Sequence, residues 1–231
     1  MPQRSYAGRT AAERRAERRE RLLAAGLELF GTDGYAATPI EKICATAGVS
    51  TRNFYEEFDG REALLMALHD RVTKRAFDAV AAALSADEPG KANSSGHGGI
   101  TGSSGGQGDS DHKARIRRRL EVATEAYVTV LTSDPRWTRI ASVELIGVSR
   151  AVEQHRLQWR GLWAQLIEAE ATRLSGPSAK YRQRDYYLAA MAIIGAVNEL
   201  MLNWCTSGGD SPPRDITAVI VRFIMGMLQP Q

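Results

Sequence analysis

Helix-start signals recur through the first 62 positions of this 231-residue chain and leave little room for any other kind of structure. Thr10-Ala-Ala-Glu13 is a capping box: the threonine hydroxyl accepts one free backbone N–H while the glutamate reaches back to another. Behind it Leu22, Gly26, Leu29 and Phe30 recur at helical spacing until Asp33-Gly34 stops the run. A second box, Thr38-Pro39-Ile40-Glu41, has proline at the first helical position, where its missing N–H is harmless. A third, Asp59-Gly60-Arg61-Glu62, opens a helix through Leu64, Leu65, Leu68 and Val72 to about Leu84. No segment sustains the two-residue alternation of a strand between turns, so the expected fold class is all-α.

Residues 89–112, PGKANSSGHGGITGSSGGQGDSDH, interrupt this pattern. Thirteen of the 24 are Gly or Ser, too little apolar surface to offset the entropy of ordering, and the stretch is expected to be a flexible linker. Beyond it, helices are expected at about 113–133, 135–148, 150–175, 181–206 and 213–228, with breaks at Asp134-Pro135, Gly176-Pro177 and Ser211-Pro212-Pro213. Residues 186–205 are apolar enough to raise the question of a membrane span. Their uninterrupted apolar run is only Tyr186–Val197, however, and Asn198, Glu199 and Asn203 break the remainder. A carboxylate amid lipid is costly, so the reading is a helix buried on two sides, with no membrane partner.

The stretch from Thr38 to Arg61 is the most informative. Ile40, Ile43, Cys44 and Ala47 form the inner face of a helix about two turns long, which Gly48 ends in the left-handed conformation. Val49 plugs the corner, and Ser50 can cap a second short helix that buries Phe54 and Phe58. Two short helices on a tight glycine turn make a helix-turn-helix, whose second helix enters the major groove of DNA. An ordinary helical hairpin with a solvated polar face fits the same local pattern.

The segments Gly34-Tyr35-Ala36-Ala37-Thr38-Pro39-Ile40 and Ile43-Cys44-Ala45-Thr46-Ala47-Gly48-Val49-Ser50, continued by Asn53-Phe54-Tyr55-Glu56-Glu57-Phe58-Asp59-Gly60-Arg61-Glu62-Ala63-Leu64-Leu65, resemble the DNA-binding domain of the TetR (tetracycline-repressor-like) family. The likeness runs from about residue 20 to 72; beyond residue 113 it is one of helical layout only. It implies a three-helix head on an all-helical effector-binding and dimerisation body. It also implies a homodimer that binds a palindromic operator and represses until a small molecule releases it. The corresponding division is a head at 1–72 with an arm at 1–9, a connecting helix at 73–88, the linker at 89–112 and the body at 113–231.

Carried over by position, Thr38 is a phosphate contact, Ser50, Thr51, Arg52 and Asn53 open the recognition helix, and Tyr55 reaches the DNA backbone. Arg61 stands where the family often has a lysine, at a helix N-terminus suited to phosphate. Arg52 can bond guanine O6 and N7 together, and Asn53 can do the same to adenine. The departure from the family is Glu56-Glu57, where an aromatic residue and a histidine are common. Glu57 could accept from a cytosine amino group or point away from phosphate.

Charge qualifies this reading. The net charge is only +3, with a sequence pI near 9.0, but residues 1–22 carry seven arginines and three glutamates. They could supply backbone or minor-groove contacts, or form a solvated face of paired Glu and Arg. Lys113-Ala-Arg-Ile-Arg-Arg-Arg119 admits a second phosphate contact or simply a charged helix start.

The resemblance places dimerisation in the last two long helices, with Leu188, Gly195 and Ala196 on one and Ile216, Val219, Ile220, Phe223 and Met227 on the other. For a small apolar or aromatic effector, the candidates are Tyr127, Trp137, Trp159, Trp163, Tyr186 and Trp204, with Glu144 and Asn198 to hold a polar group. Core packing accounts for the same stripe of residues.

Two cysteines, Cys44 and Cys205, exclude a disulfide scaffold. The Arg-rich start has no apolar stretch before Leu22, so no signal peptide is expected and the location is read as cytoplasmic. His69, His97, His112 and His155 are scattered, and no zinc, redox or nucleophile motif occurs, so no catalytic residue, cofactor or metal is expected. The competing readings are a helix-turn-helix protein that organises DNA without an effector, and a helical enzyme.

Overall fold

A computed structural model of the chain describes residues 10–88, 105–175 and 183–227. Among these the secondary structure is helical: α1 (Ala11–Thr32), α2 (Ile40–Ala47), α3 (Thr51–Tyr55), α4 (Arg61–Ala86), α5 (Gly105–Thr132), α6 (Pro135–Ser142), α7 (Arg150–Ser175), α8 (Gln183–Thr206) and α9 (Pro213–Met227). The expected all-α class is what the chain adopts. The expected arm at 1–9 lies outside the described residues, as does most of the expected linker.

Of the three expected capping boxes the first forms, whereas α2 starts after Pro39 and α4 after Gly60 with no side-chain cap from Thr38 or Asp59. Thr10 Oγ1 accepts from the Glu13 N–H at 3.1 Å, and Glu13 Oε2 accepts from the Thr10 N–H at 2.6 Å. Gly48 ends α2 with φ 60°, ψ 42°. Ser50 Oγ caps α3 by accepting from the Asn53 N–H at 3.2 Å.

Two boundaries differ from expectation. α5 begins at Gly105, inside the stretch read as linker, because extending an existing helix by a turn is far cheaper than nucleating one. α6 stops at Ser142 rather than near 148. The following turn contains Gly147 at φ 74°, and Glu144 leaves the helical path to bind the head.

The head closes over Leu22, Phe30, Ile43, Phe54, Leu64, Leu65 and Leu68, all with no exposed surface. α4 leaves this core and continues into the body, where Val80 and Leu84 are also buried. α6 rests on α1 so closely that a Cβ on Gly31 would stand 2.5 Å from Arg136 Cβ. α8 is long and apolar enough to cross a membrane by length and composition. It packs on α6, α7 and α9, and Ala190, Ile194, Met201 and Trp204 are buried there.

Candidate nucleic-acid interface and effector cavity

α3 is held from beneath and presents its other face to solvent. Phe54 is fully buried with Phe58 beside it, and Tyr55 and Glu56 between them are exposed. The Arg52 side chain is 90% exposed, with Nε 3.7 Å from Glu56 Oε1. Thr51 and Tyr55 are exposed as well, Asn53 is half-buried, and Ser50 spends its hydroxyl on the helix cap.

Glu57, ambiguous in the sequence, faces inward with a side chain only 1% exposed. Its Oε1 accepts from Arg18 Nε and Nη2 at 3.1 and 2.7 Å, and its Oε2 from Arg15 Nε at 3.2 Å. Arg19 donates to the Glu57 carbonyl at 3.0 Å and lies over the Phe58 ring, while Arg21 donates to the Gly48 carbonyl. Burial works against the Glu57 charge, but the hydrogen bonds from Arg18 and Arg15 outweigh it and hold the carboxyl below its usual range. The α1 arginines thus brace the helix-turn-helix, an arrangement that neither sequence reading of the arginine run foresaw.

Of the two expected phosphate contacts, the Thr38 side chain is corrected, whereas Arg61 is held through one nitrogen and stays half-buried. Thr38 is completely buried, and its hydroxyl donates to the Gly34 carbonyl at 2.8 Å. Arg61 Nη1 donates to the carbonyls of Tyr35 and Thr38 at 3.2 and 2.8 Å, with its guanidinium 4.7 Å from the Tyr35 ring centre. Both side chains hold the loop before α2. In the basic run ending at Arg119, Arg118 is exposed and pairs with Asp87, while Arg119 is buried and pairs with Glu170.

The body holds a partly open cavity of about 380 Å³ walled by α4 to α9. Tyr127, Trp159, Trp163, Tyr186 and Asn198 line it, as the effector reading expected. Trp163 stands edge-on to both Tyr127 and Phe77, and burial pushes the Tyr127 phenol up to about 12. His69, Arg156 and Arg160, with the Arg119–Glu170 pair, Thr73 and Thr124, add polar groups to a mostly apolar wall.

Three expected effector residues do not reach it. Glu144 accepts from the Tyr35 N–H at 2.6 Å and from Arg139 Nε at 2.7 Å, joining the body to the head. Trp204 donates Nε1 to the Ser211 carbonyl at 2.9 Å, and Trp137 packs into the main core. Of the expected interface residues, Leu188, Gly195, Val219, Phe223 and Met227 are exposed and Ala196 is half-buried. Ile216 and Ile220 are instead buried within the protomer, because α9 also serves as a core helix.

Sequence reasoning missed one cluster. His69 and His155, 86 positions apart, meet with Nδ1 and Nε2 at 3.2 Å, and His155 Nε2 lies 3.3 Å from Asp70 Oδ1. Burial, then the neighbouring His155 and Arg156, lower the His69 pKa to about 3. Nothing local in the sequence pairs these residues, since the contact exists only once α7 crosses α4.

A glycine-turned pair of short helices with the second one exposed is the arrangement of a helix-turn-helix DNA-binding domain, here joined to an all-helical body. The comparisons agree. The family described as bacterial regulatory proteins, tetR family, matches residues 22–68. The chain is 40% identical over 50 residues to the uncharacterized HTH-type transcriptional regulator YerO of Bacillus subtilis, a match covering 22% of this chain and 17% of that relative. Among solved structures, the fatty acid degradation regulator FadR of Bacillus halodurans superposes with a TM-score of 0.70 at 15% identity, over 93% of this chain and 97% of that one. Bacillus subtilis FadR in complex with stearoyl-CoA gives a TM-score of 0.65 at 14% identity, over 91% and 99%. Residues 22–68 thus match the DNA-binding domain of the TetR family, and the described residues adopt the fold shared by those solved regulators.

Proposed function

We propose that this protein is a dimeric, cytoplasmic transcriptional repressor that leaves a palindromic operator when a small apolar or aromatic molecule fills the body cavity. The observation that carries this reading is the continuity of α4. Its first turns supply Leu64, Leu65 and Leu68 to the head core, and its later turns supply Thr73, Ala76, Val80 and Leu84 to the cavity wall. A molecule seated in the cavity therefore pushes on the same helix that carries the head. A cavity of about 380 Å³ is within the range used for small ligands, roughly 300–1,000 Å³. The acyl chain bound by Bacillus subtilis FadR is one ligand of the apolar kind.

Thr51, Arg52, Asn53 and Tyr55 make the DNA contacts in this reading, with Ser50 acting through the cap. Residues 1–72 serve as the head, 73–88 as the connecting segment and 113–231 as the body. The exposed side chains Leu188, Val219, Phe223 and Met227, with Gly195 between them, form an apolar face on α8 and α9 suited to an identical face of a second copy.

Selection of bound DNA from random sequence tests the proposal, and a palindromic site is the expected product. Arg52→Ala should relax one base preference and weaken binding by about 1–3 kcal/mol. The effector and the operator must each weaken the other by the same factor. A protein that selects no palindrome, or binds equally well with Arg52→Ala, is not this regulator. One whose DNA affinity no apolar ligand alters organises DNA without sensing.

A further inference from the structure

The geometry points to a first-row divalent metal site made by His69 Nδ1 and Asp70 Oδ1 of α4 and His155 Nε2 of α7. The three donor atoms lie within 4.8 Å of one another. His155 Nε2 stands 3.2 Å from the first and 3.3 Å from the second. Four ligands at about 2.0–2.1 Å around a tetrahedral zinc are themselves about 3.3 Å apart. Both separations therefore match those of atoms sharing one cation. A single imidazole N–H cannot point well at both of its neighbours, whereas a cation between the three satisfies all of them.

The surroundings suit a cation. Trp159 Nε1 donates to Asp70 Oδ1 at 2.6 Å, the kind of outer hydrogen bond that fixes the orientation of a ligating carboxylate. That oxygen keeps a second lone pair for a metal. Arg156, the cation that acts on His69, is paired with Glu153 at 2.8 and 2.9 Å. Two imidazoles and one carboxylate select zinc, cobalt, nickel or iron over calcium and magnesium. His69 also lines the cavity, so a water or a donor atom of a cavity ligand can complete the shell. A metal here would tie α4 to α7 without requiring any DNA contact.

The test is titration of the full-length, metal-stripped protein with Co²⁺, followed by visible absorption, and with Zn²⁺, followed by calorimetry and thermal melting. One ion per protomer is expected, with a tetrahedral cobalt spectrum and a higher melting temperature. Asp70→Asn and His155→Gln alter groups that are not fully buried and should leave the fold intact while weakening binding more than tenfold. Trp159→Phe removes the outer hydrogen bond and should weaken it about tenfold or more. His112→Gln, away from the cluster, should change nothing. No uptake of cobalt or zinc would overturn the assignment and leave a shared proton between the imidazoles. Binding equal in wild type, Asp70→Asn and His155→Gln, or a thiolate band from Cys44 or Cys205, would overturn it too.

Discussion

In the head, Phe30, Phe54, Ile43 and Leu64 retain no exposed surface, α1 and α3 start at side-chain caps, and Gly48 stops α2. In the body, Tyr127, Trp159, Trp163 and Tyr186 are comparably large yet border a cavity of about 380 Å³. The same helical chemistry thus yields a sealed unit and a hollow one. The difference lies in what the aromatic rings meet. Phe54 inserts among side chains from neighbouring helices, whereas Trp163 meets Phe77 and Tyr127 edge-on and leaves space beside them. Rigidity in the head keeps α3 in register, and slack in the body leaves room for a second molecule.

The largest expected effect comes from Phe54→Ala, which should remove about 3–5 kcal/mol of stability by leaving a void in a closed core. Trp163→Ala should cost less, about 1–2 kcal/mol, because its ring already borders open space. Urea unfolding of both variants measures the contrast, and equal losses would abolish it.

Next is Glu57→Gln, which removes the charge that pairs with Arg15 and Arg18 and should cost about 1–3 kcal/mol. Its acid behaviour sharpens the test. The folded pKa of Glu57 lies below its unfolded value of about 4.3, so the stabilisation is present above that pH and is lost as pH falls through the folded value. Melting temperatures measured from neutral pH downward should fall less steeply for Glu57→Gln than for wild type.

Gly48→Ala should cost about 1–2 kcal/mol, because a side chain is disfavoured at φ 60°. Smallest of all, Arg52→Ala should change unfolding stability by no more than about 0.5 kcal/mol, since the side chain is solvated. A larger loss would give Arg52 a structural role.

The same contrast explains what could be read in the sequence. Thr10, Gly48 and Ser50 act on backbone a few residues away, so the start of α1, the end of α2 and the cap of α3 were legible. Glu57 was not, because its partners Arg15 and Arg18 lie about 40 positions earlier and become neighbours only when α1 comes alongside the turn that follows α3. Thr38 misled for a related reason: a threonine at a helix start looks alike whether its hydroxyl faces phosphate or the Gly34 carbonyl. Five of the eight effector candidates line the cavity: Trp159 and Trp163 from the aromatic stripe of α7, Tyr127 from α5, and Tyr186 and Asn198 from α8. Glu144 and Trp204 departed because their partners, the Tyr35 N–H and the Ser211 carbonyl, are backbone groups with no side-chain signature.

The shortness of α3 has a consequence for how much a single head can discriminate. Five residues rising about 1.5 Å each span some 7.5 Å, little more than two base-pair steps of the duplex. So short a reading frame carries only a few bits of information, while a genome offers about 10⁶–10⁹ competing positions. Most of the missing information must then come from geometry, through two identical short words required at one fixed separation. On that account a change in the distance between heads erases the message without altering a single letter-reading side chain.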